Sequence, residues 1–209
     1  MPPFRPLIRN PHLLTVLGNF VRRRLDVVRF PAKPRCVETE AGVRILVHTQ
    51  APRGAKPSAS LVTVHGLEGS SNAGYIRSLS QLALEHGYEV HRTNMRSCGG
   101  TDEDCRTMYH AGLTSDTLHI LREIRARTSA PVFLAGFSLG GNVVLKLAGE
   151  LGEAARDLIA GVLAVSVPVD LAACVRALSR PQNRVYELRF LRALKARIRR
   201  RALQDPDSY

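Results

Sequence analysis

Ser138 stands between two glycines in Gly136-Phe137-Ser138-Leu139-Gly140, a spacing with a specific chemical use. A serine at a sharp turn from strand into helix holds strained backbone angles, and side chains two residues to either side would collide, so small residues are needed there. The turn lifts the hydroxyl above the carboxyl end of a sheet and sets it at the N-terminus of the next helix, whose dipole favours negative charge. The chemistry served is attack of the hydroxyl on a carbonyl carbon, with backbone amides holding the oxyanion that develops. His65-Gly66-Leu67-Glu68-Gly69 follows an earlier apolar run and sits where a second amide donor belongs. The expectation is an oxyanion hole made by the N–H groups of Leu67 and Leu139, with His65, Gly66, Glu68, Gly136, Phe137 and Gly140 lining or supporting the pocket.

These residues need strands that end beneath them. Apolar, β-branched runs recur at 43–48, 61–65, 89–95, 132–136 and 158–167, and read as strands. Between them Tyr75, Ile76, Leu79, Leu82 and Ala83 share one helical face that ends at Gly87, and Leu118, Leu121 and Ile124 mark a second ahead of Pro131. A third helix runs over 139–151 and stops at Gly152. Alternation at this spacing builds right-handed βαβ units, so the later strands are expected to be parallel with helices on both faces: an α/β fold. Residues 51–60 read as a surface loop from their Pro, Gly and Ser content. From Leu171 onward only helices are expected, over 171–178 and 185–203. On this reading 158–167 is a largely apolar sheet edge, and such edges invite association.

With 44% hydrophobic and 23% charged residues in 209, the chain reads as one globular domain and not as a disordered one. A net charge of +12 raises the question of an acidic partner. There is no zinc-finger spacing, RNP motif or recognition helix, and no tryptophan to stack on bases, so no nucleic-acid partner is expected. Four cysteines, at 36, 98, 105 and 174, are too scattered for a disulfide scaffold and form no CxxC pair. Cys98, Cys105 and His110 make a weak metal set, and free thiols in a reducing compartment are the preferred reading. No metal or organic cofactor is implied. The proline-rich opening is followed by no apolar run long enough for a signal peptide or a membrane span, so a cytoplasmic location is the expectation.

Asn10-Pro11-His12-Leu13, the segments from His65 to Asn72 and Asn94 to Gly100, Tyr109-His110, the segment from Gly136 to Asn142, and Ser166-Val167-Pro168-Val169-Asp170-Leu171 together closely resemble the YheT-like branch of the α/β-hydrolase superfamily. The resemblance implies the α/β-hydrolase fold, a mostly parallel sheet flanked by helices, and a serine hydrolase of carboxylic esters, short-chain esters or acylglycerols, with Ser138 as nucleophile. It implies a core over 1–170 and the start of a helical lid over 171–209. In such hydrolases the triad follows the order Ser, acid, His. All seven histidines here, at 12, 48, 65, 86, 91, 110 and 119, precede Ser138. The chain is therefore expected to be incomplete at its C-terminus, without the triad acid and base, and a serine without a base is a weak nucleophile. His110 and Asp170 are the candidate substitutes; their plainer readings are a loop anchor and a helix N-cap. His12 and His65 read as structural, and Asp102, Glu103 and Asp104 as a solvated acidic loop. The alternative is a noncatalytic hydrolase remnant that binds an ester or a partner without turnover.

Between 184 and 201 eight basic residues stand against Glu187 alone, while Val185, Leu188, Leu191, Leu194 and Ile198 recur every three or four residues. This is a basic amphipathic helix. Two roles fit it: weak contact with an anionic membrane surface, or, preferred, a lid helix whose apolar stripe covers the site while its arginines face water.

Overall fold

The computed structural model describes residues 5–6, 8–21 and 24–204. The first four residues of the proline-rich opening and the far end of the 171–209 region, residues 205–209, lie outside the described residues. Six strands form one sheet in the order β1-β2-β4-β3-β5-β6. β1 (Lys33–Glu40) and β2 (Val43–Gln50) make an antiparallel hairpin, and β2 runs antiparallel to β4 (Tyr88–Thr93). β4, β3 (Ala59–Val64), β5 (Val132–Phe137) and β6 (Gly161–Val165) are mutually parallel. This is the α/β-hydrolase arrangement, with helices between the parallel strands.

β3 is the central strand, and all six of its residues are buried. Its connection through α2 (Gly74–Glu85) leads to β4 on one side, and the connection of β5 through α4 (Leu139–Leu151) leads to β6 on the other. α2 packs its Ala83 and Leu84 with Leu61, Val90 and Ala135 on one face of the sheet. α3 (Ser115–Arg125) and α4 pack Ile120, Leu121, Val144 and Leu147 with Val62, Val64 and Leu134 on the opposite face. The ends of β3 and β5 therefore flank the point where the winding direction reverses, and the loops leaving them diverge to leave a crevice there. α4 begins and ends where the glycine punctuation places it, and Gly152 takes φ +53, a backbone conformation that favours glycine.

Several elements differ from the sequence reading. β1 and the helix α1 (Pro11–Phe20) were not expected. β1 is a polar strand at the sheet's outer edge and buries only Val37, so it carries no apolar run; α1 is started by the Asn10 side chain, which accepts from the amides of His12 and Leu13. Residue 158 does not begin a strand: it closes a one-turn helix, α5 (Ala155–Leu158), and β6 starts at Gly161. In α2, Ile76 and Ala83 are buried but Leu82 faces out.

α6 (Leu171–Leu178) and α7 (Arg184–Gln204) complete the described chain, and α7 inverts the expected amphipathic face. Of the expected stripe Val185 is 76% exposed and Ile198 46%, whereas Arg197 is 6% and Arg201 3%. The acidic loop is likewise not left to solvent: Asp102 pairs with Arg197, and Asp104 with Arg44. Polar acceptors hold this helix face inward: Arg197 pairs with Glu68 and Asp102, and Arg201 donates to the carbonyls of Asp102, Cys105 and Arg106. No helix among the described residues is long and apolar enough to cross a membrane.

Candidate active site

Ser138 is the first residue after β5 and the N-cap of α4, with φ +52 and ψ −121. A positive φ is costly for serine and persists only where the surroundings enforce it. Here the Ser138 amide donates to the Val165 carbonyl at 2.8 Å, tying the turn to β6, and its carbonyl accepts from the Gly141 amide at 2.8 Å. The side chain is exposed. Close packing explains the flanking glycines. A β-carbon at residue 136 would stand 2.3 Å from the Gly140 carbonyl oxygen, and one at residue 140 would stand 2.3 Å from that of His65. The turn after β5 is thus pressed against the turn after β3.

That second turn, 65–69, is fixed at several points. The His65 ring is fully buried; its Nε2 accepts from the Met95 amide at 3.1 Å, so Nδ1 carries the proton and donates to the Gly66 carbonyl at 2.8 Å. Burial pushes its pKa down to about 4, so the imidazole is neutral and both nitrogens are occupied. The Gly66 amide donates to the Tyr75 hydroxyl at 3.0 Å, and the Tyr75 ring packs on Phe137 with centroids 4.7 Å apart. Glu68 takes φ +53, and its amide donates to the Tyr109 hydroxyl at 2.8 Å. Between these anchors the Leu67 amide, like that of Leu139 at the start of α4, meets no acceptor among the described residues. Gly66 lies directly against Ser138, with no side chain between them.

The other candidates are elsewhere occupied. The His110 ring is exposed, and its Nδ1 accepts from the Gly112 amide at 3.2 Å. Asp170 caps α6, accepting from the Ala173 amide at 2.8 Å. Neither makes a hydrogen bond to Ser138 among the described residues. His12 bonds the Tyr186 hydroxyl at 3.0 Å and joins α1 to α7. Cys98 and Cys105 are buried free thiols, burial pushing Cys98 up to about 12. No cluster of three or more His, Cys, Asp or Glu side chains suited to a metal occurs among the described residues.

Sequence reasoning missed the second layer. Tyr75 and Tyr109 hold the 65–69 turn. The Asn94 side chain accepts from the Ser71 amide at 2.8 Å and donates to the Leu46 carbonyl at 2.9 Å. Buried Arg96 forms a two-pronged pair with Asp116 at 2.7 and 2.9 Å and reaches Glu40 at 2.7 Å, binding the β4 loop to α3 and β1. Arg197 reaches Glu68 at 2.8 Å from α7. Only opposite charge marked these long-range pairs, and charge alone does not select partners.

The description "Alpha/beta hydrolase family" matches residues 61–208. The chain is 32% identical over 200 residues, 94% of its length, to YheT of Escherichia coli (strain K12), a protein that carries an esterase name, and spans 57% of it. It is 28% identical over 130 residues to the phospholipase ABHD3 of Homo sapiens, covering 62% of this chain and 31% of that one. Among solved structures it is similar to a bacterial brefeldin A esterase, with TM-score 0.56 at 17% identity over 79% of this chain and 51% of the other. The esterase Pf2001 of Pyrococcus furiosus gives TM-score 0.56 at 19% identity, over 73% and 60% of the two chains. The chain thus spans little more than half of YheT and about a third of ABHD3. With its sheet order, helix placement and family match in agreement, the chain belongs to the α/β-hydrolase family, in its YheT-like branch.

Proposed function

We propose that this chain carries the nucleophile and oxyanion hole of a carboxylic-ester hydrolase acting on short-chain esters or acylglycerols. The observation that carries the reading is the exposed Ser138 at φ +52, seated beside the 65–69 turn at the reversal of the sheet's winding. The Ser138 Oγ bonds to the acyl carbon, the carbonyl electron pair moves onto oxygen, and the Leu67 and Leu139 N–H groups hold that oxyanion. The tetrahedral species collapses as the acyl carbon–alkoxy oxygen bond breaks, and the alkoxide leaves as the alcohol by taking up the proton that the serine gave up; water then attacks the acyl carbon, frees the acid and restores the serine. Fixed amides need no reorganisation as charge develops, which is why they accelerate the step. The esterase and phospholipase names of the relatives accord with this substrate class.

The serine proton must pass to a base; among the described residues His65 is buried with both ring nitrogens bonded, and His110 accepts from the Gly112 amide of its own loop. The oxyanion hole and binding alone sustain roughly 10³ to 10⁴-fold acceleration over water in hydrolases stripped of their triad. Hydrolysis of p-nitrophenyl acetate and butyrate by the purified chain tests the reading. A slow, saturable rate lost in Ser138→Ala supports it; equal rates in both proteins overturn it. The occupied ring nitrogens of His65 and the loop bond of His110 support a second reading, an ester-binding module without turnover. Saturable binding of the ester, unchanged in Ser138→Ala and without any product, distinguishes it.

A further inference from the structure

We propose that Arg197, on α7, is a positioning residue for the oxyanion hole, acting through Glu68; the inference rests on the reading of Ser138 and Leu67 given above. Glu68 immediately follows Leu67 and stands 129 residues from Arg197 in sequence, yet Arg197 Nε donates to Glu68 Oε1 at 2.8 Å. The Arg197 and Glu68 side chains are only 7% and 12% exposed, so the pair is largely shielded from water. The same guanidinium reaches Asp102 at 3.3 Å, donates to the Ser97 carbonyl, and lies over the Tyr109 ring.

Glu68 is gripped at two points. Its amide donates to the Tyr109 hydroxyl at 2.8 Å, and that hydroxyl donates back to Oε1 at 2.8 Å. Arg197 thus closes a ring of contacts around a residue held at φ +53. With Gly66 fixed by Tyr75 and Glu68 fixed by Tyr109 and Arg197, the peptide plane of Leu67 is held from both sides.

Charge gives Arg197 a second part in this. A shielded carboxylate one residue from the oxyanion donor opposes the negative charge that develops there, and a guanidinium bonded to it cancels that opposition. Without Arg197 the shielded carboxylate keeps the Tyr109 hydroxyl but loses its counter-charge. Such a group draws in water or swings toward solvent and carries the turn with it. α7 therefore contributes to the electrostatics of the 65–69 turn through this one side chain.

The test uses the full chain and a neutral fluorophosphonate, reading the second-order rate of adduct formation at Ser138 in wild type, Arg197→Met, Glu68→Gln and the double variant, with urea midpoints recorded alongside. The expected loss in Arg197→Met is about tenfold to a hundredfold, somewhat below the loss of a whole oxyanion donor. The double variant, which has no unpaired buried carboxylate, is expected within about threefold of Glu68→Gln, because Arg197 acts through that carboxylate. A folded Arg197→Met labelled as fast as wild type overturns the proposal, as does a double variant tenfold slower than Glu68→Gln. The second comparison decides the matter even if Arg197→Met does not fold. An unlabelled wild type overturns the reading of Ser138 and this inference with it; a labelled wild type with an indifferent Arg197→Met overturns this inference alone.

Discussion

Gly66 packs against Ser138 so closely that a β-carbon on residue 66 would stand 3.1 Å from the Ser138 Cβ and 3.3 Å from the Phe137 carbonyl oxygen. The two turns that end β3 and β5 are thus one packed unit. Glycine at 66 is a matter of space, and the space is what lets the 65–69 turn lie directly against Ser138.

Gly66→Ala is accordingly expected to push the turns apart by a few tenths of an ångström. The labelling rate of Ser138 falls about tenfold while stability falls by about 1 kcal/mol. Fluorophosphonate kinetics with a urea titration check this; an unchanged rate contradicts the packing argument.

Two glycines of α4 make a matched contrast. Gly149 is exposed in the helix interior with nothing within 4 Å of an added β-carbon, so Gly149→Ala stabilises by about 0.5–1 kcal/mol. Gly140→Ala drives its β-carbon into the His65 carbonyl oxygen, 2.3 Å away, and costs about 3 kcal/mol or more. Thermal unfolding of the two variants reads both signs.

His65 makes stability depend on pH in a defined window. Its folded pKa is lowered to about 4 by burial, while the unfolded chain titrates near the ordinary value of 6.5. Between those values the unfolded state binds the extra proton, so stability is full above about pH 6.5 and declines as pH falls toward about 4. At about 1.4 kcal/mol for each pH unit of difference, the full loss is about 3 kcal/mol. Urea midpoints at a series of pH values, compared with His65→Asn, isolate this contribution; parallel curves for the two proteins contradict it.

The Arg96–Asp116 pair is expected to matter where surface pairs do not. Its side chains are 4% and 11% exposed, whereas those of Arg156 and Glu153 are 81% and 85% exposed. Asp116→Ala leaves a buried guanidinium short of its two-pronged partner and costs about 3–5 kcal/mol. Glu153→Ala stays within about 0.5 kcal/mol. Urea denaturation of both variants tests the difference.

What the sequence made legible was local. The glycine pattern around Ser138 specified a turn by sterics alone, and Leu139 to Gly152 carried both ends of α4. β3 and β5 were readable because burial on both faces demands apolar runs. β1 was not, because an outer antiparallel strand with charged side chains carries no such run. The face of α7 was misread because hydrophobic periodicity put its leucines inward, while contacts a hundred residues away turned Arg197 and Arg201 there instead. The partnership of Glu68 with Arg197 depends on tertiary approach, and no spacing rule encodes it.

The most direct measurement is mass-spectrometric mapping of the adduct formed when the folded chain is incubated with a fluorophosphonate. A slow adduct confined to Ser138 and absent from Ser138→Ala is the expected result. An adduct on other residues alone, or none while the fold is intact, contradicts the assignment of Ser138 as nucleophile.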